Sequence, residues 1–157
     1  MDVKIIEKPS FTVVEKVRTH TTKNGENTKT VPAFWDEVHA DGSLKTLECL
    51  ANDFTYAYGI CYDNPVGDVF EYSIAVLSDK TPPKGYRKTV IPARTWAVFP
   101  CKGAVSHSIA DCWKNIIAFF KTSDYRSLRE LDLEVYPDGD TNSEEYYCEI
   151  WVAVTKK

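Results

Sequence analysis

The sequence predicts an α+β fold, in which duplicated βαββ units form one antiparallel sheet with two main helices on one face and a pocket between the halves. The order of strand-like and helix-like segments is strand, helix, strand, strand, and the same order then recurs. Residues 70–76 align with residues 148–154 at an offset of 78 positions, and the same offset places Trp35 on Trp113. Agreement of two separate elements on one offset indicates an internal repeat.

A connector at residues 78–85 separates the two copies, because its paired prolines and its glycine interrupt regular structure. We therefore expect one domain over residues 1–157, built from pseudo-repeats at about 1–80 and 86–157. Each unit is too small to bury its own sheet, so the two copies should pack together. Ligand pockets are common at such interfaces between halves.

The first copy begins with a β-branched stretch at residues 3–18, which reads as a strand that Pro9 interrupts. A helix follows near Pro32, since proline suits the first helical turn, and its apolar residues share one face. Two strands complete the copy at residues 54–62 and 69–77, both rich in tyrosine and aliphatic residues.

The second copy repeats this order. Residues 87–99 form a strand that Pro92 interrupts, and an amphipathic helix then runs to about Lys121. Residues 131–136 alternate between apolar and polar side chains, which indicates a half-buried strand. Residues 148–154 form the last strand and the most strand-like stretch of the chain.

Several acidic residues lie on these strands, and the strand face of each one indicates whether it could belong to a binding site. Asp132 and Glu134 alternate with apolar residues, and we expect them on a solvated outer face. Glu149 shares a strand face with Trp151, and Glu71 is its counterpart in the repeat. A carboxylate beside a large aromatic ring lies either near solvent or in a cavity that awaits a partner.

Composition narrows the function classes. The net charge is −4 and no run of Lys or Arg exceeds two residues, so a nucleic-acid-binding face is not expected. No metal motif, phosphate loop or nucleophile elbow occurs, so we expect no metal or cofactor. We also expect no membrane span or signal peptide, hence a cytoplasmic protein. The five cysteines should be free thiols: Cys49, Cys61, Cys101, Cys112 and Cys148.

Several segments together resemble the gyrase-inhibitor-like (GyrI-like) domains, which also occur as the effector-binding domain of multidrug-responsive transcription regulators. The resemblance covers nearly the whole chain. It rests on residues 58–63, the stretch 91–99 with Gly103, Trp113, residues 133–136 and residues 149–154.

The resemblance implies a central pocket for hydrophobic, aromatic and often cationic small molecules, with Glu149 as the pocket carboxylate. Such a site would bind a lipophilic cation through ring stacking, cation–π contact and a charge pair. The expected ligand-binding residues are Glu149, Trp151, Tyr58, Tyr56, Trp96 and Glu71.

Three functions are compatible with this reading. The first is a sensor or sequestering protein that binds lipophilic small molecules. The second, implied by the resemblance, is a hydrolase of electrophilic cyclopropane-type compounds with Glu149 as the catalytic general base. The third is a protein inhibitor of DNA gyrase. A protein partner, either a regulator or a topoisomerase, therefore stays open, whereas direct nucleic-acid binding is not expected because the chain contains no helix-turn-helix pattern.

Overall fold

The computed structural model describes residues 2–157 and confirms the α+β class, with one eight-stranded antiparallel sheet and three α-helices. The strands are β1 (Lys4–Lys8), β2 (Phe11–Thr21), β3 (Tyr56–Tyr62), β4 (Val69–Leu77), β5 (Arg87–Ile91), β6 (Arg94–Lys102), β7 (Tyr125–Pro137) and β8 (Tyr147–Lys156). The helices are α1 (Asn27–Ala40), α2 (Ser43–Leu50) and α3 (Val105–Thr122).

The first copy carries two helices because Gly42 separates α1 from α2. Its φ of 82° lies in the left-handed region, which glycine adopts without the usual steric cost and which ends the first helix. No helix of the described chain is long and apolar enough to cross a membrane.

The sheet order is β1-β6-β8-β7-β3-β4-β2-β5. The repeat counterparts are β1 and β5, β2 and β6, β3 and β7, and β4 and β8. Exchanging each strand for its counterpart gives the same order read from the other end. The central pair, β3 with β7, joins the two copies. The first strand of each copy also pairs with a strand of the other copy, β1 with β6 and β5 with β2.

Two short links force the sheet to curl. Only Pro9 and Ser10 connect β1, at one edge, to β2, which lies six strand positions away. In a flat sheet that separation is about 29 Å, whereas three residue steps reach at most about 11 Å. Pro92 and Ala93 make the equivalent link from β5 to β6. The two edges therefore approach each other, and the sheet forms an incomplete barrel.

The helix-free face of the sheet is the inside of this barrel and is filled by side chains. Val13, Ile60, Trp96 and Leu133 all belong to one cluster there and have no exposed surface. Eight strands enclose an interior that is just wide enough for side chains. The face that carries Glu149 is thus largely a packed core.

Helices cover the outer face in two separate layers. The first layer, α1 and α2, packs on β2 and β4 through residues such as Phe34 and Leu47. The second layer, α3, packs mainly on β6 and β7, and Cys112 and Ile116 lie in its core cluster. Between the layers lie the outward-facing residues of β3 and β7, which we call the seam. Its members are Gly59, Cys61, Asp132, Glu134 and Tyr136.

Candidate ligand-binding site

Glu149 lies on the barrel side of β8 and is half-buried. Its Oε1 accepts a hydrogen bond from Nε1 of Trp151 at 3.1 Å, and its Oε2 accepts one from the hydroxyl of Tyr147 at 2.8 Å. Lys8 lies above the same aromatic surface, with Nζ 5.9 Å from the ring centroid of Trp151 and 5.1 Å from that of Phe11. A cation of the protein itself therefore sits over the tryptophan of this pair.

The other residues that the sequence predicts for the site lie at separate positions along the barrel. Trp96 is fully buried, with its ring centroid 6.1 Å from that of Trp151. Tyr58 is buried beside the exposed Tyr56, with ring centroids 6.3 Å apart. Glu71 is exposed at the opposite part of the sheet and forms an ion pair with an arginine, Arg87. The structure brings Glu149, Trp151 and Trp96 together but leaves Glu71 away from them.

A second carboxylate, Glu134, has a different environment on the seam. Its Oε1 accepts a hydrogen bond from the hydroxyl of Tyr72 at 2.5 Å and another from the hydroxyl of Tyr136 at 3.2 Å. Nε1 of Trp35 donates to the Tyr72 hydroxyl at 2.8 Å. Trp35 and Tyr72 belong to the first copy, whereas Glu134 and Tyr136 belong to the second. The group is therefore assembled across the junction of the halves.

The rings form an aromatic wall around this carboxylate. Trp35 and Tyr136 meet edge to face, with centroids 5.3 Å apart and planes at 82°. Both are half-buried, while Tyr72 is buried behind them. The wall thus has an inner ring that is fixed in the core and two outer rings that reach solvent.

Gly59 makes the close approach of these groups possible. It lies opposite Glu134 in the β3–β7 ladder. A Cβ atom at this position would lie 2.1 Å from the Tyr72 hydroxyl oxygen and 2.5 Å from Oε1 of Glu134. Only a residue without a side chain leaves space for both hydrogen-bonding partners.

The seam holds two carboxyl groups without a matching cation. Within residues 2–157, neither Glu134 nor its strand neighbour Asp132 forms an ion pair with Lys, Arg or His. Burial raises the pKa of Glu134, and the hydrogen bonds from Tyr72 and Tyr136 oppose that rise. Burial also raises the pKa of Asp132, and the nearby carboxylates of Asp63 and Glu134 add to the effect.

The expectation that Asp132 and Glu134 lie on a solvated face was wrong. Asp132 is 8% exposed and Glu134 is half-buried. The alternation along β7 was correct, but the outer face of the sheet lies between two helical layers. Tyr136, two residues after Glu134, was the available signal, because the pair repeats the carboxylate–aromatic spacing of Glu149 and Trp151.

Two open surface grooves lie elsewhere on the described chain. One of about 400 Å³ is lined by β2 and α1 residues that include His20 and Thr30, and one of about 340 Å³ lies beside β1 and the end of β8. Neither groove includes Glu134 or Glu149.

The curled sheet, the two helical layers and the carboxylate within an aromatic wall are features of a small-molecule-binding domain. The family model of the GyrI-like small molecule binding domain matches residues 1–155. The chain therefore belongs to the GyrI-like family, which confirms the resemblance seen in the sequence. No functionally curated protein is detectably similar to the chain in sequence.

Solved structures share this fold. The structure of SAV2435 bound to tetraphenylphosphonium is 24% identical, with a TM-score of 0.87 over 99% of this chain and 94% of that chain. The EcmrR C-terminal domain is 22% identical, with a TM-score of 0.68 over 99% and 98% of the two chains. A hydrolase from Listeria innocua is 12% identical, with a TM-score of 0.58 over 98% and 91%.

Proposed function

We propose that this GyrI-like domain binds lipophilic aromatic cations at the seam, with Glu134 as the charge partner, and acts as a sensor or sequestering protein. One observation carries the proposal: Glu134 is held by Tyr72 and Tyr136 inside an aromatic wall, and no cationic side chain of the described chain pairs with it. A ligand with rings and one positive charge complements both features.

The geometry supplies three contributions to binding. A cation about 5 Å from the carboxylate gains roughly 3 kcal/mol of Coulomb energy at an effective dielectric constant near 20. The rings of Trp35 and Tyr136 add cation–π attraction of about 0.5–2 kcal/mol. Both rings are half-buried, so each presents part of its surface for stacking on a ligand, while Tyr72 stays in the core. The structural relative SAV2435 was solved with tetraphenylphosphonium, an aromatic cation of this kind.

Glu149 is the competing position for the charge partner, and the resemblance to the family favoured it. Its two oxygens already accept hydrogen bonds from Tyr147 and Trp151, and the ammonium of Lys8 lies over the Trp151 ring. The barrel interior beside it is filled by Trp96 and its neighbours. A ligand there would have to displace a lysine and open a packed core, which makes Glu134 the better candidate.

Isothermal titration of tetraphenylphosphonium into three forms of the protein tests the assignment. We expect saturable binding to the unmodified protein and binding weaker by about 10- to 100-fold in Glu134→Gln, because the Coulomb contribution is lost. Glu149→Gln serves as the matched control and should change the Kd by less than about threefold. Circular dichroism verifies that both variants are folded.

The opposite pattern, with affinity lost in Glu149→Gln and kept in Glu134→Gln, would move the site to the barrel interior. No saturable binding to the unmodified protein would remove the proposal altogether. Quenching of tryptophan fluorescence that disappears in Trp35→Phe would independently place the ligand at the seam.

A further inference from the structure

Three metal-type donor atoms converge at one end of the seam. Sγ of Cys61, a carboxylate oxygen of Asp63 and a carboxylate oxygen of Asp132 all lie within 4.8 Å of one another. The Sγ of Cys61 is 3.8 Å from Oδ1 of Asp63. Glu134, the proposed partner of the organic cation, does not belong to this group.

The backbone holds these donors in place. Cys61 and Asp132 are direct partners in the β3–β7 ladder, so their side chains leave the sheet side by side. Asp63 follows two residues after Cys61, and its N–H donates a hydrogen bond of 2.8 Å to the carbonyl of Glu130 on β7. Cys61 and Asp132 thus lie side by side in the sheet, and Asp63 follows directly after the end of β3.

Asp132 is the observation that points to a ligand. Only 8% of the surface of this residue is exposed. Within residues 2–157 it forms neither a hydrogen bond nor an ion pair with another protein group, although Asp63 and Cys61 lie against it. Buried carboxylates in folded proteins are normally paired, hydrogen-bonded or bound to a metal.

We propose that Cys61, Asp63 and Asp132 form a binding site for a divalent metal ion of the zinc type. One thiolate and two carboxylates are three ligands, and water would complete a tetrahedral shell around such an ion. The sulfur donor favours Zn²⁺, Co²⁺ or Cd²⁺ over Mg²⁺ and Ca²⁺, which prefer oxygen ligands only. The site lies next to the proposed organic-cation site but does not depend on it.

Titration with Co²⁺ under reducing conditions tests the site, because a thiolate ligand gives Co²⁺ a near-ultraviolet charge-transfer band and tetrahedral geometry gives it intense visible bands. We expect both to saturate at one equivalent in the unmodified protein and to disappear on adding Zn²⁺. Cys61→Ser should abolish the charge-transfer band. Asp132→Asn should weaken the binding of Co²⁺ and of Zn²⁺ at least 10-fold.

Two comparisons keep the experiment decisive. Cys49→Ser removes an exposed thiol on α2 and should leave the Co²⁺ spectrum unchanged. Asp63→Asn is a second, less buried ligand variant that should also weaken binding. Absence of a charge-transfer band, or a band that persists in Cys61→Ser and Asp132→Asn, would overturn the proposal. The proposal would also be overturned if Mg²⁺ displaced bound Co²⁺ as effectively as Zn²⁺ does.

Discussion

Replacement of Gly59 with alanine should disrupt the hydrogen bonds and packing of the seam. The new Cβ would lie 2.1 Å from the Tyr72 hydroxyl oxygen, 2.5 Å from Oε1 of Glu134 and 2.9 Å from Cζ of Tyr72. Carbon and oxygen atoms normally stay about 3.3 Å apart or more. The hydroxyl must therefore retreat by about 1 Å, and it cannot then keep its hydrogen bonds to both Glu134 and Trp35.

The cost follows from these two effects. Overpacking of a tight interior costs about 1–3 kcal/mol, and loss of a hydrogen bond to a charged group costs about 1.5–3 kcal/mol. We expect Gly59→Ala to lower the free energy of unfolding by about 3 kcal/mol in urea denaturation. Gly67→Ala is the matched control, because its nearest contact is the flexible side-chain amide of Asn64 at 3.2 Å, and it should change stability by less than about 0.5 kcal/mol.

A double-mutant cycle with Tyr72→Phe makes the reasoning refutable. Without the hydroxyl, the closest clash is gone, so Gly59→Ala should cost at least about 1 kcal/mol less in the Tyr72→Phe background. An equal cost in both backgrounds would show that the methyl group does not meet the Tyr72 hydroxyl. A Gly59→Ala protein as stable as the Gly67→Ala control would contradict the described packing of the seam.

Two further predictions concern charges outside the seam. Arg87→Met should destabilise the fold by about 3 kcal/mol, because it leaves the fully buried Glu15 without a cation, whereas Arg94→Met, which breaks a more exposed ion pair, should cost less than about 1 kcal/mol in the same urea assay. Nuclear magnetic resonance titration should place the pKa of His107 above the ordinary histidine value, because two carboxylates accept its hydrogen bonds, and the pKa of His20 below it, because of burial and then Arg18. His107 should therefore stabilise the fold below about pH 6.5 and lose that effect as the pH rises through its folded pKa. His20 should instead oppose folding as the pH falls through about 6.5. The reverse order of the two pKa values would contradict the described contacts.

Local patterns predicted much of the fold because they depend on neighbouring residues. Alternation along residues 54–62 puts Tyr58 and Ile60 on the same sheet face, and the structure has both in the barrel cluster. The common offset paired Trp35 with Trp113, and each lies on the main helix of its copy.

The site was harder to predict because it depends on pairings that are distant in sequence. The sequence shows Pro9 and Pro92 as interruptions but does not show that the strands they connect lie six positions apart in the sheet. That separation turns the helix-free face into a barrel interior, so Glu149 faces a filled core. Glu134 was misjudged for the same reason, because only the positions of α1 and α3 show that the outer face of β7 lies between two layers.

The most direct test of the cation site compares two ligands of the same shape and opposite charge. Tetraphenylphosphonium and tetraphenylborate both present four phenyl groups around one central atom, so hydrophobic contacts are nearly equal and charge is the main difference. An acidic seam without a counter-charge predicts that the phosphonium binds at least 100-fold more tightly in isothermal titration, and that Glu134→Gln reduces this preference at least 10-fold. Equal affinity for the two ions, or a preference unchanged by Glu134→Gln, would contradict the assignment of Glu134 as the residue that selects the cation.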